Sequence, residues 1–271
     1  MAAPSLLRRK GKTMQKLLVC YKWVLDEQDI KITGDLSLDT SRAKYKISDY
    51  DKNAIEAGAL LAEQHGVTVE ALTFGTAVVK QSLKDALSRG LDKVYWIGDT
   101  AAEQADAFVT ANILAAAVKK AGQFDLILCG EGSADAYSQQ TAPRLAVLLG
   151  IPAITFVQQL SITDGKVTAI RKLGDCTEEV TVTGPAVISV LPEINKPRIP
   201  GLKQVMGAAK KPSEEWKLAD LGLADADLAP KVRKLSVKGY VMDRKKVIYK
   251  EADQAENVAK LVASLAQEGL C

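Results

Sequence analysis

The sequence predicts an α/β fold, a parallel sheet with helices on both faces, and three observations carry that reading. Short continuous apolar runs such as Leu126-Ile127-Leu128-Cys129 read as strands buried on both faces. Runs of this kind alternate with stretches of helical spacing, and βα units in succession imply parallel strands with right-handed crossovers. After Pro152 the texture changes to short alternating strands separated by Thr163-Asp164-Gly165 and Leu173-Gly174-Asp175, which predicts antiparallel hairpins. The expected architecture is Rossmann-like, with an appended antiparallel hairpin region and a C-terminal extension.

The elements follow in order. Leu17-Leu18-Val19-Cys20-Tyr21 is the first buried strand, and Gly34-Asp35 marks a hairpin turn in the polar excursion after it. A helix over 51–64 buries Ala54, Ile55, Gly58 and Leu61, with Ser48 or Asp49 as its cap and Gly66 as its end. Val67 to Phe74 is the second strand, followed by Gly75-Thr76 and a helix with Val79, Leu83 and Leu87 inward. Gly90 closes that helix. Val94 to Ile97 is the third strand. A helix over 103–119 carries Ala107, Ala111, Leu114 and Val118 at helical spacing, and Phe124 to Cys129 is the fourth strand. Ile154–Leu160, Lys166–Arg171 and Glu178–Val182 form the hairpins, and Ala186 to Leu191 is a further buried strand.

In such sheets, ligands bind at the carboxyl ends of strands near a switch in strand order. That places the ends of strands one (Cys20, Tyr21), two (Phe74, Gly75) and four (Gly130) around one crevice. The loop after strand four, Gly130 to Ser138, is small and polar. It leads into a helix carrying Leu145, Leu148 and Leu149, and the N–H groups of a helix's first turn suit a phosphate. Ser133, Ser138, Gln139, Gln140 and Thr141 add neutral donors there. Neither the P-loop pattern nor the spaced glycines of a dinucleotide fingerprint is present. The residues alone leave two readings open, an ordinary βα turn and a nucleotide pocket.

Composition narrows the function classes. Of 271 residues 47% are hydrophobic, enough for one large domain, and a formal net charge of +3 without a dense basic patch argues against nucleic acid. Cys20, Cys129, Cys176 and Cys271 are widely spaced and contain no CxxC pair, which fits a reduced, cytoplasmic chain and predicts no metal site. His65 is the single histidine, too few for a histidine-based triad. Residues 1–13 are basic without an apolar stretch behind them and read as a disordered leader. Residues 14–222 are the expected nucleotide-binding domain and 223–271 the extension.

Two late segments stand out. Pro192 to Leu202 holds three prolines and a glycine, which forbid regular helix or a central strand. It reads as a semi-rigid loop carrying the apolar Ile194, Ile199 and Leu202, either folded back on the domain or docking a partner. Beyond it the sequence predicts a short helix near 213–220, a strand within Lys231–Val241 and an amphipathic helix over 252–267. A tail that small cannot bury a core of its own.

With these residues assembled, the chain resembles the small (beta) subunit of electron-transfer flavoproteins, from Lys16 to about Gly222. The resemblance rests on Val19-Cys20-Tyr21-Lys22, the stretch Ile47 to Glu56, Ala86-Leu87-Ser88-Arg89-Gly90, the loop after strand four, and Asn195 to Pro200 with Met206 to Pro212 behind it. The wording Gly130 to Gln140 is closest to the Fix-type bacterial branch. The resemblance implies an electron carrier without substrate chemistry of its own. It implies a heterodimer with a large (alpha) subunit, FAD shared between the two, and AMP or a second FAD in the small subunit. Cys20, Ser48, Asp49, Tyr50, Asp51, Phe74, Gly130, Glu131, Gly132, Ser133, Ala134, Asp135, Ser138, Gln139, Gln140 and Thr141 would line that pocket. Ile199 and Leu202 would dock acyl-CoA-type or other flavin dehydrogenases. A membrane quinone oxidoreductase and ferredoxin are further implied partners. One departure is the stretch Arg171 to Thr177, where the family favours acidic residues. The competing reading is an ATP-using hydrolase or ligase, or a nucleotide sensor. The hydrolase reading lacks its Ser-Gly-Gly-x-Asp-Ser loop after strand one, where this chain has Tyr21-Lys22-Trp23.

Overall fold

The computed structural model describes residues 14–242 and 244–270, so the leader expected over residues 1–13 lies outside the described residues. One sheet contains β1 (Lys16–Cys20), β2 (Thr68–Gly75), β3 (Lys93–Gly98), β4 (Leu126–Gly130), β5 (Ala153–Thr163), β6 (Lys166–Leu173), β7 (Cys176–Thr183), β8 (Ala186–Val190) and β9 (Ser213–Glu215). Their order across it is β7-β6-β5-β8-β4-β1-β2-β3-β9. Every pairing from β5 across to β9 is parallel. β5, β6 and β7 are joined antiparallel, so the expected hairpins extend the same sheet rather than forming a second layer.

The continuous apolar runs become strands because helices cover both faces. β4 and β8 are buried along their whole length. Helices α1 (Asp49–His65), α2 (Leu83–Ser88), α3 (Ala107–Ala121), α4 (Thr141–Leu149) and α5 (Leu202–Ala208) supply the cover. α1, α2 and α5 share one core with Leu17, Val19, Leu128 and Ile188. α3 and α4 share the other with Leu18, Leu72, Ile127 and Val187. Each fully buried Leu or Ile here contributes about 1.5–3 kcal/mol relative to exposure. Gly58 lets α1 approach the sheet, because a Cβ there would stand 2.8 Å from Val19 Cγ2.

Several expected elements differ from the structure. The helix expected after Gly75-Thr76 splits into a 3-10 stretch over residues 77–82, which holds Val79, and α2. The helix expected over 103–119 is α3, which starts at Ala107 because Asp106 caps it by accepting from Val109 N at 2.9 Å; residues 100–103 form a separate 3-10 turn. Of the helix expected near 213–220 only a 3-10 turn at Leu218–Leu221 forms; residues 213–215 are β9, which pairs with the open edge of β3, and Trp216 then stacks on Tyr95 with ring centroids 4.5 Å apart. No strand forms over 231–242 among the described residues. Leu235 and Val237 stand exposed there, and the segment is tied at single points, such as Gly239 N to Leu36 O at 2.7 Å, rather than along a ladder.

Contacts divide the chain into a large unit, which includes residues 39–236, and a small one of residues 32–38 and 237–271. The small unit contains the hairpin turn expected at Gly34-Asp35, closed by Thr33 N to Ser37 O at 2.9 Å. It also contains the helix Gln254–Gln267, capped by Asp253 through Ala255 N at 3.0 Å. Val258 and Leu261 on that helix are about half exposed. Among the described residues no helix is long and apolar enough to cross a membrane.

Candidate functional site

The chain runs from β1 to β2 and β3 on one side, then returns to β4 on the other side of β1. The connections leaving β1 and β4 therefore diverge and open a crevice at the carboxyl edge. Cys20 and Gly130 end the two strands there. Hydrogen bonding with Cys20 and then burial raise the Cys129 thiol well above its ordinary range, so it is a neutral packing group.

The first turn of α1 frames the loop after β4. Asp51, buried beneath it, accepts from Lys22 N at 2.8 Å and from Gly130 N at 3.2 Å, joining the exits of both strands. Burial pushes the Asp51 carboxyl up to about 7, against the opposing pull of those N–H groups and the Lys22 charge. Gly130 is required by close approach, since a Cβ there would stand 2.6 Å from Asp51 Oδ1 and 2.8 Å from the Tyr50 carbonyl carbon. Ser48 occupies the N-cap position of α1 but makes no side-chain cap bond. Its buried Oγ instead accepts from Ala134 N at 3.3 Å.

The outer part of the loop is tied by charge. Lys22 Nζ lies 2.6 Å from Asp135 Oδ2, while Ser133 Oγ and Ala136 N donate to Asp135 Oδ1 at 2.6 and 2.8 Å. Burial alone would raise the Asp135 carboxyl; the Lys22 charge and these hydrogen bonds outweigh it and hold it below its usual range. Glu131, raised by burial, accepts from Tyr137 Oη at 2.9 Å. Tyr137 in turn lies beside Tyr50, with ring centroids 5.1 Å apart. Tyr50, Glu131, Tyr137, Lys172 and Glu193 line an open depression of about 450 Å³.

Ser48, Asp51, Gly130, Ser133, Ala134 and Asp135 thus come together as the loop's frame, and Tyr50 and Glu131 face the depression. Gly132 packs against the Tyr137 ring. Ser138, Gln139, Gln140 and Thr141 lead into α4, with Gln139 in the left-handed region at φ 56°. Gln140 Oε1 is taken by Arg144 Nε at 3.0 Å. Asp49 faces elsewhere, paired with Lys46 at 2.9 Å and Lys52 at 2.6 Å. Cys20 and Phe74 are buried in the core under α3 and α4. Sequence reasoning left Lys22, Lys172 and Glu193 out of the site. Lys22 had a signal, since it directly follows a strand that ends at the crevice.

The donor set fits a phosphate-bearing nucleotide. The hydroxyls of Ser138 and Thr141 make no hydrogen bond among the described residues, and the first turn of α4 offers backbone N–H groups beside them. These donors are neutral and stand at a helix start, where the phosphate of an adenosine phosphate or a dinucleotide can be accommodated.

The proline-rich segment is anchored to α1. Asn53 Nδ2 donates to the carbonyls of Pro192 and Asn195 at 3.0 and 2.9 Å, and Asn195 Nδ2 donates back to Asn53 O at 3.0 Å. Arg198 bridges Glu56 at 2.8 Å and Glu63 at 2.5 Å. Ile199 is 93% exposed and Leu202 77%. Leu202 belongs to the first turn of α5 rather than to the loop, because Gly201 serves as the N-cap.

The fold and the crevice define an α/β protein whose loops at the switch point lead into a helix start with free backbone N–H groups. The family model of the electron transfer flavoprotein domain matches residues 35–221. That span is well over half of the chain, and the chain belongs to the electron transfer flavoprotein family. The family is flavin-associated, and its work is electron transport.

Proposed function

We propose that the chain is the small subunit of a heterodimeric electron-transfer flavoprotein of the Fix-type branch, acting in the cytoplasm. It shares FAD with a large subunit, receives electrons from or passes them to partner flavin dehydrogenases, and has no substrate chemistry of its own. Quinone oxidoreductases and ferredoxin are further partners on this reading. The observation that carries it is the family match, which spans both the loop frame and the proline-rich segment.

Ser138, Thr141 and the N–H groups of α4 would hold the phosphate of AMP or of a second FAD. FAD, when bound, supplies the electron-accepting and electron-donating chemistry. Asp51, Ser48 and Lys22 keep the loop in place from behind, and the Tyr50 and Tyr137 rings border the space beside it. Residues 14–222 act as the nucleotide-binding domain on this reading. Residues 223–271 are an extension that packs on the large subunit, for which the exposed Val258 and Leu261 supply apolar surface.

The test is co-expression with a large subunit, followed by denaturation of the purified complex and a count of released nucleotides. A yellow heterodimer releasing FAD and AMP, or two FAD, supports the reading. A colourless chain that turns over ATP by itself overturns it in favour of the hydrolase reading.

A further inference from the structure

We propose that Asp51 is a positioning residue: its carboxylate fastens the exits of β1 and β4 beneath the nucleotide loop, and taking up a proton loosens that fastening and the loop's hold on an adenosine phosphate. The proposal rests on the nucleotide-pocket reading above and adds a proton-linked control to it.

Geometry carries it. Two backbone N–H groups from different strand exits converge on one buried carboxylate, with Lys22 N on Oδ2 and Gly130 N on Oδ1. An ionised carboxylate accepts strongly at both oxygens; a protonated one turns one oxygen into a donor and a poorer acceptor, which weakens one of the two N–H bonds. Gly130 has no slack to absorb the mismatch, because it is pressed against Asp51 and the Tyr50 backbone. The loop residues that follow share the same support, through Ser48 Oγ to Ala134 N and Lys22 to Asp135. Moving the exit of β4 therefore moves the segment that leads to Ser138 and Thr141.

The charged and titratable groups facing Asp51 are Lys22 beyond β1, Cys129 on β4 and Asp135 in the loop. Lys22 favours the ionised form, and burial and Asp135 oppose it. Cys129 is held neutral and adds no charge. Burial dominates and brings the Asp51 carboxyl to about 7, so the two protonation states exchange in the neutral range.

The experiment uses the heterodimer with the full chain, and AMP as the probe. AMP affinity is measured from about pH 6 to about pH 8 for the natural protein and for Asp51→Asn, the range in which a group near neutrality changes charge. The natural protein should bind AMP roughly tenfold more weakly at the acidic end, the effect of weakening one charge-assisted hydrogen bond. Asp51→Asn should be weak throughout, and the difference between the two profiles removes the titration of AMP's own phosphate. Superimposable profiles overturn the proposal while leaving the nucleotide reading intact. Absence of any adenine nucleotide binding at every pH overturns both. Should Asp51→Asn fail to fold, amide hydrogen exchange on the natural protein decides the matter. Protection at Lys22 N and Gly130 N, corrected for intrinsic exchange, should fall on acidification through neutrality, and unchanged protection there overturns the proposal.

Discussion

A single carboxylate shows how burial sets the cost of a side chain. The Asp51 carboxyl is raised from 3.8 to about 7, so the folded protein holds a proton there that the unfolded chain has released. Its contribution to stability is fully present below about pH 3.8 and is lost as pH rises through about 7, at up to roughly 1.4 kcal/mol per pH unit. Denaturant unfolding across that window should show this loss in the natural protein relative to Asp51→Asn. Subtracting the variant removes carboxylates shifted the other way, such as Asp135 and Glu63. The ionised state that orders the loop is thus the state that costs the fold most. Gly130→Ala tests the same spot by size. Its Cβ would meet Asp51 and Tyr50 at 2.6 and 2.8 Å, so a loss of about 1–3 kcal/mol is expected in the same assay. The sequence placed Asp51 in the first turn of a helix near the crevice, which is where it lies. That the carboxylate faces the strand exits from beneath, while Asp49 turns to Lys46 and Lys52, depends on tertiary packing that no local pattern encodes.

At the scale of elements, legibility followed burial. β4 and β8, covered on both faces, read directly as apolar runs, and α1 read directly from Ala54, Ile55 and Leu61. β9 did not, because its three residues are all exposed and it is a strand only through pairing with β3. The start of α3 was misplaced because Ala101, Ala102 and Ala105 extend the apolar spacing past the cap. Asp106 does more than cap: its Oδ2 also accepts from Lys231 N at 2.6 Å and Val232 N at 2.9 Å. Asp106→Ala should therefore cost about 1–2 kcal/mol, the value of a strong cap, and should make the segment around 231–232 more sensitive to limited proteolysis. The proline-rich segment supplies the contrasting case. Leu202→Ala should leave stability nearly unchanged, since the side chain is 77% exposed. If it anchors a dehydrogenase, it should remove roughly 1–3 kcal/mol of docking energy. The readout is flavin reduction by the dehydrogenase set beside reduction by dithionite, and equal loss with both would rule out the anchor.

For the whole molecule, the succession of βα units foretold a parallel sheet covered on both faces, because period and burial are written in each segment. The order of the strands was not legible, because apolar runs buried on both faces carry no label for their neighbour. Only the crossover from β3 back to β4 creates the crevice, and it is a property of the assembled sheet. A nucleotide held there binds the folded state alone. At about 100 times its dissociation constant it should add roughly 2.7 kcal/mol to stability. Stripping the nucleotide should accordingly lower the melting temperature by several degrees, and an unchanged value would mean that the loop holds no structural ligand.

The two margins of the sheet differ in a way that bears on how the chain survives at high concentration. β9 closes one side with three exposed residues, two of them glutamates, and is too short to template another strand. β7 closes the other side with eight residues that are largely exposed, a length sufficient for a second molecule to pair along it. Glu178 and Glu179 put one carboxylate on each face of that edge, and like charges brought edge to edge repel. Replacing both with valine should turn a monodisperse preparation into one whose scattering grows with concentration and time. The acidic pair on β7 then serves as a guard against self-association.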